Sequence, residues 1–315
     1  MTFYIKKFCS LLVTLFLISI VTFGVFQILP GDPASIILGP DADPFQLEAM
    51  RQSLNLDAPL LTRYIDWMMN TLQGNLGESI RFHMPVSDLL LARIPVTGSL
   101  ALMSLTLTVL IGLPVGLFIV HHDQYTGKVV SILSQLGIAI PSFWMGILLV
   151  LLFSVTLGAF PSGGYVAFTD NPMGWLGSLF LPSLSIALGT SAVLIRYLKT
   201  AMLDEMPKLY VQTARGKGLS ERTVLTQHVF KNALIPTVTI LGMLVIDILG
   251  GSIITENVFN LPGLGNLIIT AINSRDLPLI QALVLYLGII VVVFNFIVDI
   301  LYSIIDPRIR VAGGN

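Results

Sequence analysis

Six stretches of the sequence are long and apolar enough to cross a bilayer, and this repetition constrains the fold more than any other feature. A membrane-spanning helix needs roughly 20 mostly apolar residues to cross a hydrocarbon core of about 30 Å. The predicted spans are Phe8–Ile28, Val96–Val120, Val129–Leu157, Leu179–Leu198, Thr237–Ile254 and Leu279–Ile305. Only 11% of the 315 residues are charged, against about 25% in soluble domains. The sequence therefore predicts an all-α, polytopic membrane protein with six transmembrane helices.

The first span shares one feature with a signal peptide, because Lys6 and Lys7 precede it. Its apolar run is too long for the hydrophobic region of such a peptide, and no small-residue cleavage site precedes Ile28–Ala34. We therefore expect an uncleaved membrane anchor.

The distribution of Lys and Arg predicts which side of the membrane each loop faces. With both termini in the cytoplasm, the inner side holds twelve of these residues and the outer side five. The inner set is Lys6, Lys7, Lys128, Arg196, Lys199, Lys208, Arg215, Lys217, Arg222, Lys231, Arg308 and Arg310. The outer set is Arg51, Arg63, Arg81, Arg93 and Arg275.

This orientation divides the chain into three predicted regions. Residues 1–28 form an N-terminal transmembrane helix, and residues 29–95 form an extracytoplasmic segment of short amphipathic helices separated by proline and glycine. Residues 96–315 form a core of five membrane helices, with a cytoplasmic loop at about 199–236.

The cytoplasmic loop is basic and contains a glycine-rich turn. We expect the fourth span to continue as a helix through Tyr210, Gly216 and Gly218 to form a turn, and Ser220 to cap a second helix. The chain is then predicted to turn back into the membrane at Pro236. The positions Val224, Leu225, His228 and Val229 predict a narrow apolar face on the second helix, suited to contact with another surface. Such a face suits a groove on a cytoplasmic partner, although the basic residues could instead serve only topology and anionic lipid.

Several common catalytic and binding motifs are absent from the sequence. It has no phosphate-binding loop, no G-x-S-x-G nucleophile turn, no H-E-x-x-H helix and no CxxC pair. We therefore predict no catalytic residue, no metal ligand and no cofactor in this chain, which is not expected to be an enzyme.

The cytoplasmic loop also resembles a known family. Tyr210–Leu219 followed by His228–Pro236 is similar to the coupling loop (the "EAA" loop) of ABC importer permeases, in the version of the dipeptide/oligopeptide/nickel family. Further similar stretches, in the family's order, are Ile28–Ala34, Leu72–Gly77, Ile140–Trp144, Phe160–Gly164, Leu181–Leu184, Glu256–Phe259 with Leu261–Gly265, and Asp306–Arg310. Where many importers have Glu-Ala-Ala, this chain reads Gln212-Thr213-Ala214, which resembles the peptide subfamily's own variant.

The resemblance implies the type I ABC importer permease architecture in the inner membrane of a bacterium. It also implies four kinds of partner: a second homologous permease subunit, two cytoplasmic ATPase subunits that hold ATP and Mg, an extracytoplasmic solute-binding protein, and the lipid bilayer. No nucleic acid is expected among them. The residues that this resemblance assigns to contact with the ATPase are Ala214, Arg215, Gly216, Lys217, Gly218, Leu219, Ser220, Glu221, His228 and Asn232. We call Ala214–Asn232 the coupling segment.

Asp247 lies in the middle of the fifth predicted span. Acidic residues are costly in a membrane and usually face a bundle interior or a water-filled cavity. Asp247 is therefore a candidate for a translocation pathway that takes a cationic group, and a structural hydrogen bond to a neighbouring span is an equally open interpretation.

Two alternatives concern function. An ion-coupled secondary transporter would need coupling-ion residues on several spans, whereas Asp247 is the one clear candidate. For the substrate of an importer, the resemblance implies short peptides, glutathione included, with nickel or another metal chelate as the second choice.

Overall fold

A computed structural model describes residues 2–28, 33–39, 42–53, 56–121 and 124–305. Apart from one isolated bridge between Glu78 and Pro85, the regular structure of these residues is helical. The helices are α1 (Thr2–Ile28), α2 (Pro33–Leu38), α3 (Pro44–Ser53), α4 (Leu60–Leu72), α5 (Val86–His121), α6 (Gln124–Ala139), α7 (Ser142–Thr156), α8 (Pro172–Glu205), α9 (Leu209–Gly216), α10 (Glu221–Val258), α11 (Leu264–Asn273) and α12 (Leu277–Ile305). The all-α prediction is confirmed.

Five of these helices are long and apolar enough to cross a membrane, and a bent pair makes a sixth span possible. The five are α1, α5, α8, α10 and α12. The bent pair corresponds to the third predicted span, and its two halves, Gly127–Ala139 and Ser142–Thr156, differ in direction by 104°. Pro141 at this break disfavours a helical conformation in the residue before it.

The helices differ from the predicted spans at their ends. The helix predicted to continue from the fourth span through Tyr210 is interrupted, because α8 ends at Glu205 and Pro207 separates it from α9. The turn predicted at Pro236 is wrong, because Pro236 lies inside α10. A proline in a long helix removes one hydrogen bond and need not end the helix when the turns on both sides hold.

The chain divides into two compact units, and the first contains residues 1–95 and 267–296. In this unit α4 packs against α1 through Phe23, Tyr64 and Trp67. The Tyr64 hydroxyl and the Ser19 hydroxyl are 2.8 Å apart, and the ring centroids of Phe23 and Tyr64 are 5.4 Å apart.

A buried carboxylate ties together two further parts of the first unit. Asp276 is fully buried and accepts hydrogen bonds from the Ser79 hydroxyl, from the Arg81 amide at 3.1 Å and from the Leu279 amide at 3.3 Å. A buried charge needs this number of donors to offset its desolvation. Asp276 therefore fixes the loop before α5 to the start of α12.

The second unit contains residues 96–266 and 297–315, of which those beyond Ile305 lie outside the described residues. Its centre is α8, whose most apolar stretch is 72% buried. Glycines permit close approach of a neighbouring helix, because a Cβ at Gly112 would lie 2.6 Å from the Leu194 side chain and one at Gly116 2.7 Å from that of Leu198. Interfaces with small residues are typical of helix packing in membranes.

Some predictions fall partly or wholly outside the described residues. These are the Asp306–Arg310 stretch, part of Ile28–Ala34, and the position of the C-terminal residues.

Candidate coupling segment and intramembrane cavity

The coupling segment contains a sharp turn between α9 and α10, built around Gly218. Gly218 has φ +79°, a backbone conformation that favours glycine. Its amide donates to the Arg215 carbonyl at 2.9 Å, and the Leu219 amide reaches the Ala214 carbonyl at 3.4 Å. These two bonds satisfy carbonyl groups that the end of α9 would otherwise leave unpaired.

Ser220 caps the helix that follows the turn, as predicted. Its hydroxyl accepts a hydrogen bond from the Thr223 amide at 3.3 Å. An oxygen at this position satisfies one of the amides that the first turn of a helix leaves without a partner. The start of α10 at Glu221 is therefore fixed by a local interaction.

An ion pair spans the turn. Arg215, in the last turn of α9, places Nη2 2.6 Å from Oε1 of Glu221 and Nε 3.1 Å from Oε2 of the same carboxylate. This two-point contact fixes the relative direction of the two side chains. The hydrogen bond to Glu221 raises the pKa of Arg215. Both side chains are accessible to solvent.

The apolar face after Ser220 is not available to a partner, which corrects the prediction of an exposed docking face. Val224, Leu225 and Val229 are buried. They form a core cluster with Leu198, Met202, Val211, Ala214 and Ala233. The stripe is apolar, as its periodicity indicates, but it packs against α8 and α9 of the same chain. Sequence periodicity identifies an apolar face without identifying what covers it.

The longest exposed run of the coupling segment is the turn itself. Residues 215 to 222 are exposed one after another, whereas Ala214 is buried and His228 is half-buried. Asn232 is exposed, and its side-chain amide donates to the His228 carbonyl at 2.7 Å. The fold thus brings Arg215, Gly216, Lys217, Gly218, Leu219, Ser220 and Glu221 together in one protrusion. His228 and Asn232 lie farther along α10.

Tyr210, which was not among the site residues predicted from the sequence, stabilises the base of this protrusion. The Tyr210 hydroxyl donates to a carboxylate oxygen of Glu205, and Glu205 also pairs with Lys208. Partial burial, together with the bond to Glu205, raises the pKa of Tyr210 to about 12. The tyrosine therefore stays protonated and links the end of α8 to the start of α9.

Asp247 lines a cavity of about 200 Å³ between membrane helices of the second unit. The other lining residues are Ile138, Ser142, Ile186, Gly189, Thr190, Val193, Leu244 and Gly251. Asp247 is exposed to this space and is the sole ionisable residue in the described lining. The Thr190 hydroxyl is already bonded to that of Thr108 at 2.7 Å. The cavity thus presents one carboxylate in mostly apolar surroundings.

A second acid near the end of α10 is fully buried, and sequence reasoning assigned it no role. Glu256 accepts hydrogen bonds from the Thr97 hydroxyl at 2.6 Å, from the Gly265 amide at 2.7 Å and from the Asn266 amide at 3.2 Å. The Thr97 oxygen in turn accepts from the Leu264 amide at 2.9 Å. The carboxylate caps the first turn of α11, where anions are favoured.

Gly263 and Gly265 lie close to Glu256, and neither position has room for a side chain. A Cβ at Gly263 would overlap the Glu256 carboxylate, and one at Gly265 would lie 2.8 Å from the Ile253 carbonyl oxygen. The segment between α10 and α11 is also fixed by the Gly164 amide, which donates a hydrogen bond to the Phe259 carbonyl at 2.8 Å. An acid followed within ten residues by two closely spaced glycines is the sequence signal that could have indicated this network.

The chain matches two family models that together cover almost all of it. Residues 108–311 match the family described as "Binding-protein-dependent transport system inner membrane component", and residues 1–101 match its N-terminal companion. The fold agrees with a solved chain of the MetNI methionine ABC transporter in inward-facing conformations. That match has a TM-score of 0.58 and 18% identity, and it covers 69% of this chain and 96% of the other.

Full-length relatives give a closer comparison. A putative peptide transport system permease protein of Brucella abortus (strain 2308) is 43% identical over 307 residues, which are 97% of this chain and 98% of the relative. The glutathione transport system permease protein GsiC of Escherichia coli O6:H1 is 37% identical over 311 residues, covering 98% and 99% of the two chains.

These matches and the helical multi-span fold define the chain as a transport permease of the inner membrane. It belongs to the binding-protein-dependent transport system inner membrane component family and is an ABC importer permease subunit with type I architecture.

Proposed function

We propose that this subunit translocates short peptides, with glutathione among the candidate substrates. The observation that carries the substrate class is the full-length similarity to permeases named for peptide and glutathione transport. A solute-binding protein delivers the peptide on the outer side, and a second, homologous permease subunit completes the pathway. Both termini of this chain lie in the cytoplasm.

The protruding turn at Gly218 is the contact through which one of the two cytoplasmic ATPase subunits drives this permease subunit, and the second ATPase subunit contacts the second permease subunit. ATP and Mg are held on those subunits. Two features support this role. The turn is exposed from Arg215 to Arg222, and its base is anchored by the buried cluster around Val224 and Val229. An exposed tip on a rigid base transmits displacement to the helices that continue from it, whereas a loose loop would absorb it.

The cavity at Asp247 provides a point on the pathway for a positively charged group. A carboxylate among apolar side chains attracts a cation more strongly than one in water, since the effective dielectric constant is lower. The free amino group of a peptide is such a cation. Asp247 therefore contacts the amino terminus of the substrate in passage.

Reconstitution tests the proposal as a whole. The chain is placed in liposomes with its second permease subunit, its ATPase subunits and its binding protein, and uptake of radiolabelled peptides, glutathione and a nickel chelate is measured. We expect peptide uptake that requires ATP and every subunit. Uptake driven by an ion gradient in the absence of the ATPase would instead identify a secondary transporter. ATP-dependent uptake of the chelate alone would reassign the substrate.

A further inference from the structure

Helix α4 carries an apolar stripe that nothing in the described part of its own unit covers. Leu61, Ile65, Met69 and Leu72 are 70%, 49%, 52% and 74% exposed. Their spacing of four, four and three residues places them on one side of the helix. Large apolar side chains exposed as a continuous stripe indicate an interaction surface.

The rest of α4 is divided into two other faces. Tyr64 and Trp67 point toward α1, where they contact Phe23 and Ser19. Thr62, Asp66 and Asn70 are exposed and follow one another every four residues. At 100° per residue, the order around the helix is the α1-facing side, then the apolar stripe, then the polar stripe. The apolar and polar stripes thus both adjoin open space.

The contact with α1 places α4 at a defined depth. The apolar span of α1 is Tyr4–Gln27, and α4 touches it at Ser19 and Phe23. Ser19 is eight residues before Gln27, which corresponds to roughly 12 Å along a helix with a 1.5 Å rise per residue. At that level α1 also exposes Val21 and Val25, on the side turned away from α4. The apolar stripe of α4 therefore lies at the level of the apolar span of α1.

We infer that α4 is an interfacial helix that lies in the bilayer surface at the C-terminal end of α1. Its stripe of Leu61, Ile65, Met69 and Leu72 inserts among the acyl chains, and Thr62, Asp66 and Asn70 face the headgroups and water. Helices of this kind bury their apolar face by about 5–10 Å. Trp67 contacts Phe23, which is closer than Ser19 to the C-terminal end of the apolar span, and aromatic side chains concentrate near that level in membrane proteins. The bilayer thus anchors the segment between α1 and α5.

The inference is independent of the peptide substrate and can be tested by site-directed spin labelling. In a Cys9→Ser background, single cysteines are placed by Ile65→Cys, Met69→Cys and Leu72→Cys on the apolar stripe. Thr62→Cys, Asp66→Cys and Asn70→Cys on the polar stripe are the matched controls. The full chain, with the transport subunits that co-purify with it, is reconstituted in phosphatidylethanolamine and phosphatidylglycerol liposomes. Accessibility of each nitroxide to oxygen and to a water-soluble nickel complex is then measured by power saturation.

We expect the ratio of oxygen to nickel accessibility to be several-fold higher at the apolar positions than at the polar ones. Equal ratios on the two stripes would show that water covers both and would overturn the inference. Protection of the apolar stripe from both reagents would also overturn it, because a protein partner, such as the binding protein or the second permease subunit, would then be the occupant. All six positions are exposed, so the label disturbs no packed contact, and size-exclusion profiles check that each variant is folded.

Discussion

The carboxylate of Glu256 accepts a hydrogen bond from the hydroxyl of Thr97, 159 residues earlier in the chain, at 2.6 Å. Both side chains are buried, and both also accept amide hydrogen bonds from the first turn of α11. This one contact joins α5, the end of α10 and the start of α11. It makes the loop between α10 and α11 depend on a single buried acid.

Removal of either partner should destabilise the protein. Glu256→Ala leaves buried donors unpaired, at about 1–3 kcal/mol for each group, and Thr97→Val removes the bridging oxygen. A double-mutant cycle from denaturant titrations in detergent should give a coupling free energy of about 0.5–3 kcal/mol. Thr106→Val, on the exposed side of α5, is the matched control and should stay within about 0.5 kcal/mol of the parent. Additive effects of Glu256→Ala and Thr97→Val would contradict the assigned contact.

Gly218 should be intolerant of substitutions that Gly216 accepts. Gly218 has a positive φ, and Ala in that region costs roughly 1–2 kcal/mol. Pro is worse, because its φ is fixed near −65° and it removes the amide bonded to Arg215. Gly216 lies within α9 with open space around its Cα.

We therefore expect Gly218→Pro to insert at the parental level and hydrolyse ATP while its peptide uptake falls several-fold. Gly216→Ala should transport normally. Uptake and ATPase activity of the reconstituted complex are measured side by side, with membrane content checked by immunoblot. Normal uptake by Gly218→Pro would refute a coupling role for the turn.

The ion pair between Arg215 and Glu221 should matter for coupling more than for stability. Because both groups are exposed, the pair contributes at most about 1 kcal/mol to stability. Arg215→Glu and Glu221→Arg should each lower uptake per ATP hydrolysed several-fold, since like charges then oppose each other across the turn. The double exchange should recover part of that loss. Failure of the double exchange to improve on either single variant would assign these side chains to separate contacts.

Asp247→Asn should reduce transport of peptides with a free amino terminus. Loss of a hydrogen bond to a charged group is expected to cost about 1.5–3 kcal/mol, or at least about tenfold in apparent affinity. Uptake of an N-acetylated peptide should be unchanged, because it carries no ammonium group. Asp170→Asn, in the exposed turn before α8, is the control for loss of a carboxylate. Parental rate and substrate preference in Asp247→Asn would reject a pathway role.

Much of this molecule is predictable from local sequence. The apolar spans, the glycine turn at Gly218 and the cap at Ser220 each depend on residues close together in the chain. Helix length, backbone conformation and capping are local properties, so pattern reasoning captured them. The break at Pro141 within the third span and the helix that continues through Pro236 were not captured, because a proline ends, bends or merely interrupts a helix according to what packs around it.

Only the tertiary structure decided which faces are covered and which polar groups meet. The sequence by itself determined that the protein is a helical membrane protein with several spans and a basic loop that contains a glycine turn. Hydropathy and turn conformation depend on residues that are close together in the chain. It could not show that Val224 and Val229 pack inside their own unit, or that Thr97 meets Glu256. Those outcomes depend on contacts between residues far apart in the chain, and their free energies exist only once the helices have packed.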